Sequence, residues 1–396
     1  MSYLPLIDPL RAIAAFWVFS YHYHFSQQMS QTLPFVAWIS HLGWLGVPMF
    51  FVISGFCITA AARRSLQQPK AFSHFIWRRF TRIYPPFWCS IAITVAIPFL
   101  IEGLSSLKTG VYSGVDADHT VSHQFVNYNF IDWFSVATLL QAFRNAPIAD
   151  MPLSTNKFVT INAVYWTLAI EVQFYLLVAG CMLLKRNFYA GMLAVTIISL
   201  LATRFIPDIR LLGLCFPYWP SFAFGALVFA LMELKLPPSR WPNTLPAKAL
   251  SLIFGGSLIG LLFVISNELE FVFTLLFAGF LYFSQSWDQS LDALKNNPNS
   301  YLHRPLFAII CFLGTASYSI YLLHGRLQHL VMVGTRQLFP PDTIIFDLAT
   351  LALTTLLCLG FFWLCEKPFL RPISLTRRNL KQEITPHRAS LTPDTA

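Results

Sequence analysis

The chain predicts an all-α, polytopic membrane protein of about ten transmembrane helices with both termini cytoplasmic. Composition, the spacing of apolar runs and the placement of lysine and arginine carry that expectation. Of 396 residues, 56% are hydrophobic and only 11% charged, whereas soluble domains carry about 25% charged residues. A soluble fold with this balance would expose apolar surface on every side. Apolar runs long enough to span recur at 6–25, 40–62, 86–104, 163–184, 188–206, 212–232, 249–265, 270–286, 306–324 and 343–364. With the N-terminus inside, the inner loops and tail hold nineteen lysines and arginines and the outer segments seven, the bias that positive-inside orientation requires. That bias accounts for the net charge of +9 without any affinity for nucleic acid.

The first run has no basic region before it and no small-residue cleavage site, so it is expected to be retained as a helix. It contains Arg11 and His22. Eleven residues at about 100° each bring both side chains to one helix face, about 16 Å apart. One end of that face is a fixed cation and the other a group that can carry a proton near neutral pH. Ionisable groups facing lipid cost several kcal/mol, so the pair marks a buried functional site. His24 is about 200° around the helix from His22 and faces elsewhere.

The second run leads into a basic inner loop, 63–85, with Arg63, Arg64, Lys70, Arg78, Arg79 and Arg82. It ends in Tyr84-Pro85-Pro86, where the prolines suit the first turn of the third span. On a helix Arg82 neighbours both Arg78 and Arg79. Such a patch either grips the phosphates of a cytosolic ligand or anchors the loop to anionic headgroups. Residues 105–160 form the longest outer segment and the best place to recognise a ligand from the outer side. Its apolar island, Ile131 to Phe143, lies in the interface or re-enters. There His119 and His123, with Asp116 and Asp118, lack a well-spaced third ligand, so no metal site is expected.

The fourth run buries Glu171 about eight residues, or about 12 Å, from its outer end. A carboxylate there needs a cationic partner or a wet cavity. His22 is expected at similar depth, so Glu171 either orients His22 and raises its basicity or serves as a polar tie between spans. The fifth to eighth runs are read from hydropathy alone. In the ninth, Ser317 to His324 brings hydroxyls and an imidazole to the outer half, with Tyr318 and His324 weighing most. Glu366-Lys367-Pro368 closes the last span and reads as a helix terminus. The seven cysteines lie in or at the ends of apolar runs without a CxxC pair, and read as buried thiols. Residues 1–372 thus form one membrane domain, and 373–396 a disordered basic cytoplasmic tail. No GxSxG elbow, P-loop, HExxH or HxxxxD motif is present.

Several of these pieces occur in a familiar order. Asp8-Pro9-Leu10-Arg11 with His22, Gly46 to Phe56, Arg78 to Pro85, Trp166 to Tyr175, Ser317 to His324 and Glu366-Lys367-Pro368 resemble the integral-membrane acyltransferase 3 family. Its members include O-antigen and exopolysaccharide O-acetylases and macrolide acylases. Thr167 stands where that family usually has serine, and Val172 where a second acidic residue is frequent, leaving Glu171 as the carboxylate there. Some relatives carry an outer hydrolase-like domain, which a chain of this length is expected to lack.

The resemblance implies acyl-coenzyme A, acetyl by preference, as co-substrate, with no permanently bound cofactor. It implies a hydroxyl acceptor such as a surface polysaccharide or its lipid-linked precursor, at a bacterial cytoplasmic (inner) membrane. On that reading His22, Arg11 and Glu171 are catalytic, and Arg78, Arg79 and Arg82 hold the coenzyme A phosphates. Ser54, Tyr165, Trp166, Tyr175, Tyr318 and His324 line the cavity. His22 serves as base or as acyl carrier, and Arg11 or a tyrosine offsets developing charge. Two rivals are a transporter of acyl groups or lipid-linked sugars and an assembly partner in a polysaccharide complex. The sequence leaves the oligomeric state open.

Overall fold

The computed structural model describes residues 6–109, 128–144, 161–206, 209–233, 269–284 and 303–370. The 249–265 run, His119 and His123 and the 373–396 tail lie outside the described residues. Every regular element described is helical. In chain order these are α1 (Ile7–His22), α2 (Gln27–Thr32), α3 (Pro34–His41), α4 (Gly46–Ser65), α5 (Ala71–Thr109), α6 (Phe130–Ala137), α7 (Gln141–Arg144) and α8 (Tyr165–Leu183). They are followed by α9 (Phe188–Phe205), α10 (Trp219–Glu233), α11 (Leu269–Phe283), α12 (His303–Thr315), α13 (Ser317–Thr335) and α14 (Ile344–Phe361).

Five described helices are long and apolar enough to cross a membrane, or six when α12 and α13 are joined as one bent span. That is the architecture of a multi-pass membrane protein. The described residues do not reach ten such spans. Helix α1, at 16 residues, and α10 and α11, at 15 residues each, are short for a crossing.

Three boundaries depart from the sequence reading, each for a visible reason. The first helix stops at His22 and does not run to 25. Asp347 of α14 accepts from the Tyr23 hydroxyl at 2.9 Å, the Ser26 amide at 3.1 Å and the Ser26 hydroxyl at 2.6 Å, drawing the chain out of the helix. The basic stretch 63–85 is a short turn followed by helix, because α5 starts at Ala71 and carries Pro85, Pro86 and Pro98 in its interior. An aromatic ladder at helical spacing supports this stretch, with ring centres 5.7 Å apart for Trp77 and Phe80, 4.9 Å for Phe80 and Tyr84, and 5.6 Å for Tyr84 and Trp88. The ninth run is broken: its two halves meet at 71°, and α13 continues to Thr335.

The break at Ala316 leaves the first amides of α13 without helical partners. Glu366 supplies the missing cap from the end of α14. It accepts from the Ser319 amide at 3.1 Å and from the Ser319 hydroxyl. A π-turn over Phe362–Glu366 adds a residue to the last turn before this carboxylate.

The island at 131–143 forms α6 and α7, opened by a reciprocal cap between Asn129 and Asp132. It folds back along α5, where Trp88 Nε1 donates to the Ala137 carbonyl at 2.9 Å and Tyr84 to the Thr138 carbonyl at 3.3 Å. At the basic end Arg63 Nε donates to both Glu233 oxygens at 3.0 Å, and Tyr189 donates to the same carboxylate, joining α4, α9 and α10.

Helix α1 packs against α4, α12 and α13, and α4 makes its most extensive contact with α10. That last crossing is backbone against backbone. A Cβ on Gly55 would fall on the Phe222 carbonyl, and one on Gly225 on the Val52 carbonyl. Small residues permit such an approach, which in lipid replaces the hydrophobic drive between helices. Gly55→Leu or Gly225→Leu should therefore separate α4 from α10 and destabilise the fold by at least about 1–3 kcal/mol. Fluorescence size exclusion after graded heating would show the lowered midpoint. A leucine at Gly103, where a Cβ meets nothing within 4 Å, should leave the midpoint in place.

Candidate active site

A cavity of about 380 Å³ lies between α1, α4, α5, α8, α10 and α13. This is within the range of small-molecule sites. Its wall is charged at the basic end of the bundle. Arg11 enters from the first turns of α1, Arg64 from the last turn of α4, and Arg79 and Arg82 from α5, one turn apart. Asp8 and Glu171 are the carboxylates on the same wall. Among the described residues the single ion pair, Arg63–Glu233, lies elsewhere. Arg79 rests over the Tyr175 ring, 5.6 Å from its centre, and its Nε is buried without a hydrogen-bond partner.

Glu171 is held within this cavity. Its Oε1 accepts from Tyr175 at 2.6 Å and from Ser54 at 3.2 Å, while Oε2 receives no hydrogen bond from the described residues. Ser317, at the start of α13, presents a buried hydroxyl without a partner to the same space. Tyr318 lines the cavity and donates to the Ile83 carbonyl at 3.0 Å, in the turn disturbed by Pro85 and Pro86. Glu366 sits behind this wall, fully buried and within electrostatic reach of Arg82 and Arg11.

The cavity ends at Tyr321 and Thr167. Thr167 donates to the Val164 carbonyl at 2.8 Å, so its 2.8 Å contact with the Tyr321 hydroxyl uses the Tyr321 proton. Beyond this gate lies a second group. The His324 ring is 6.1 Å from that of Tyr321 and 5.3 Å from that of His22. Gln328, one turn further along α13, donates to the His22 carbonyl at 2.9 Å.

The structure therefore divides the expected residues between two compartments. Arg11, Arg79, Arg82, Glu171, Ser54, Tyr175 and Tyr318 share the cavity, whereas His22 and His324 face each other outside it. Arg78 is exposed and does not line the cavity. Tyr165 is buried against Ser90, 2.9 Å away, and Trp166 packs on Tyr218, so neither reaches the cavity.

Glu171 does not meet His22, contrary to the reading from depth. Counting from the Thr167–Tyr321 contact, Glu171 lies four residues one way and His324 three the other, about 10 Å apart along the bundle. Arg64 and Ser317, noted in the sequence only as members of the basic patch and of the hydroxyl-bearing stretch, line the cavity, and the residue that sequence reading missed is Gln328. Gln328 is legible only as the i+4 neighbour of His324.

The Acyl_transf_3 family, an acyltransferase domain, matches residues 5–363. The peptidoglycan O-acetyltransferase OatA of Listeria monocytogenes serovar 1/2a is 25% identical over 344 residues, covering 82% of this chain and 49% of OatA. The Bacillus subtilis (strain 168) protein named "Putative peptidoglycan O-acetyltransferase YrhL" is 26% identical over 350 residues, covering 81% and 48% of the two chains. The chain thus spans about half the length of the curated relatives it matches. No solved structure matches it. With the family matched across nearly its whole length, the chain belongs to the Acyl_transf_3 acyltransferase domains.

Proposed function

We propose that this chain is a membrane-embedded O-acyltransferase that moves an acyl group, acetyl by preference, from acyl-coenzyme A to a carbohydrate hydroxyl in the bacterial cytoplasmic membrane. Both termini are assigned to the cytoplasmic side, and peptidoglycan is the first acceptor to test, because relatives carry that name. One observation carries the reading: four guanidinium groups line a cavity with two carboxylates and no ion pair among them. Arg64 is exposed, but Arg11, Arg79 and Arg82 are partly withdrawn from solvent, where unpaired charge is costly until an anion arrives. A coenzyme A headgroup supplies several phosphate charges, matched by arginine forks.

The spacing within α1 supports a donor of this shape. Arg11 and His22 are separated by about 16 Å along the axis. Pantetheine places about twelve bonds between its phosphate oxygen and its sulfur, which at three bonds per about 3.5 Å spans about 14 Å. Phosphates beside Arg11, Arg79 and Arg82 thus bring the thioester to His22. In the transfer, His22 takes the proton of the acceptor hydroxyl as that oxygen attacks the thioester carbonyl. The C–S bond breaks, and the proton passes to the departing thiolate. Arg11 belongs with the phosphate end on this geometry, not beside the reacting carbonyl.

Three outcomes follow for the full chain in lipid nanodiscs. His22→Ala should lower acetyl transfer to solubilised peptidoglycan fragments about 10²–10⁴-fold, and near-normal turnover by folded protein would reject the base assignment. Arg79→Ala or Arg82→Ala should raise the apparent KM for acetyl-coenzyme A about tenfold or more, the weight of a charged hydrogen bond. With acetyl-pantetheine the increase should vanish, and Arg78→Ala should leave KM unchanged. An equal loss with both donors would favour headgroup anchoring. Glu171→Gln should act on donor KM and combine multiplicatively with His22→Gln, as independent sites do; strongly sub-multiplicative loss would restore a direct Glu171–His22 partnership.

A further inference from the structure

His324 is fully buried on α13. Its Nδ1 stands 2.9 Å from the Tyr321 carbonyl and 3.1 Å from the Ile320 carbonyl. Carbonyls only accept, so Nδ1 carries the hydrogen and Nε2 keeps its lone pair. That Nε2 is buried and has no hydrogen-bond partner. The His22 ring lies beside that of His324, 5.3 Å centre to centre and tilted by 37°. No ring nitrogen of His22 bonds it in this arrangement, but at this ring separation rotation of the part-exposed His22 side chain brings a ring N–H within reach of Nε2. Phe19 closes the other side of the His324 ring at 5.3 Å, and Tyr21 packs edge-on to His22 at 5.2 Å.

We propose that His324 is a positioning residue for acyl transfer: its Nε2 accepts from the His22 ring N–H and turns the other His22 nitrogen, lone pair outward, toward the acceptor hydroxyl. This rests on His22 being the base. It gives His324 the orienting part that sequence reading offered to Glu171. An orienting partner fixes both the tautomer and the ring plane of a catalytic imidazole. The titratable neighbours facing the pair are Tyr21 and His24 from the α1 side and Tyr321 from α13. Gln328 presents the competing acceptor, since its Oε1 is also buried and unpartnered.

The test uses the full chain in nanodiscs with ¹⁵N-labelled histidine. His324 should report the Nδ1–H tautomer, and its Nε2 resonance should move far more when His22 becomes Phe than when Gln328 becomes Leu. A His324 Nε2 resonance blind to His22→Phe overturns the proposal, as does one that follows Gln328→Leu instead. In turnover with acetyl-coenzyme A, His324→Leu should lower kcat about 10–100-fold, the cost of losing an orienting partner at metal-bound imidazoles, while KM stays. His324→Gln, whose Oε1 takes the place of Nε2, should recover most of the loss. If Gln is as poor as Leu, or if KM moves in place of kcat, His324 is structural. Should His22→Ala prove harmless, the base reading fails, and the resonance still decides whether the pair exists.

Discussion

Arginine cannot shed its charge, so four guanidinium groups on one cavity wall are a constraint that the surrounding bundle must satisfy. The carboxylates near them are placed to limit repulsion without neutralising it. Glu171 gives one oxygen to Tyr175 and Ser54 and keeps the other without a donor among the described residues. Glu366 stays behind the wall, with its charge engaged by the amide and hydroxyl of Ser319. Direct pairing of either with Arg82 would relax the cavity and leave less for an arriving phosphate. Retained positive charge is therefore what the buried polar groups are arranged around.

The broken helix follows from the same constraint. A continuous ninth span would present side chains alone to the arginine wall. Interruption at Ala316 exposes an amide-bearing helix end, which lets Glu366 anchor there from α14 and leaves the Ser317 hydroxyl facing the cavity. Backbone that departs from helix within an apolar bundle is tolerated where it lines a cavity and its groups find partners. Tyr318 ties the broken span to α5 through the Ile83 carbonyl, beside the Pro85–Pro86 pair.

Much of this was legible along the chain, and the limit of legibility is physical. Helical period alone put Arg11 and His22 on one face, because that relation is local. It also made Arg79 and Arg82 neighbours, but could not say that Arg78 points outside. The depth argument for Glu171 failed because depth from a span's end does not fix which helix lies opposite. Glu366 was read as a mere terminus since its partner, Ser319, is 47 residues away. Asp347 went unnoticed because the hydroxyl it receives, that of Tyr23, is separated by 324 residues. Hydropathy found where apolar helices are but not the bend between α12 and α13, since the break has no proline and its nearest glycine, Gly314, sits inside α12 against the Asp8 carbonyl.

Asp347 shows how such distant pairs set the geometry of the chemistry. His22 is the last residue of α1, and the chain leaves the helix directly after it. What holds it there is not local propensity but the buried Asp347 carboxylate, which collects Tyr23 and Ser26 and so fixes both the end of α1 and the start of α2. Gln328 then secures the His22 carbonyl, an orphan of the helix end, from α13. The backbone of His22 is thus clamped from α13 and, through Tyr23 and Ser26, from α14, while its ring makes no hydrogen bond among the described residues. A fixed backbone leaves rotation about two side-chain bonds as the motion open to the ring, and that motion is what brings it onto the unpartnered His324 Nε2 beside it.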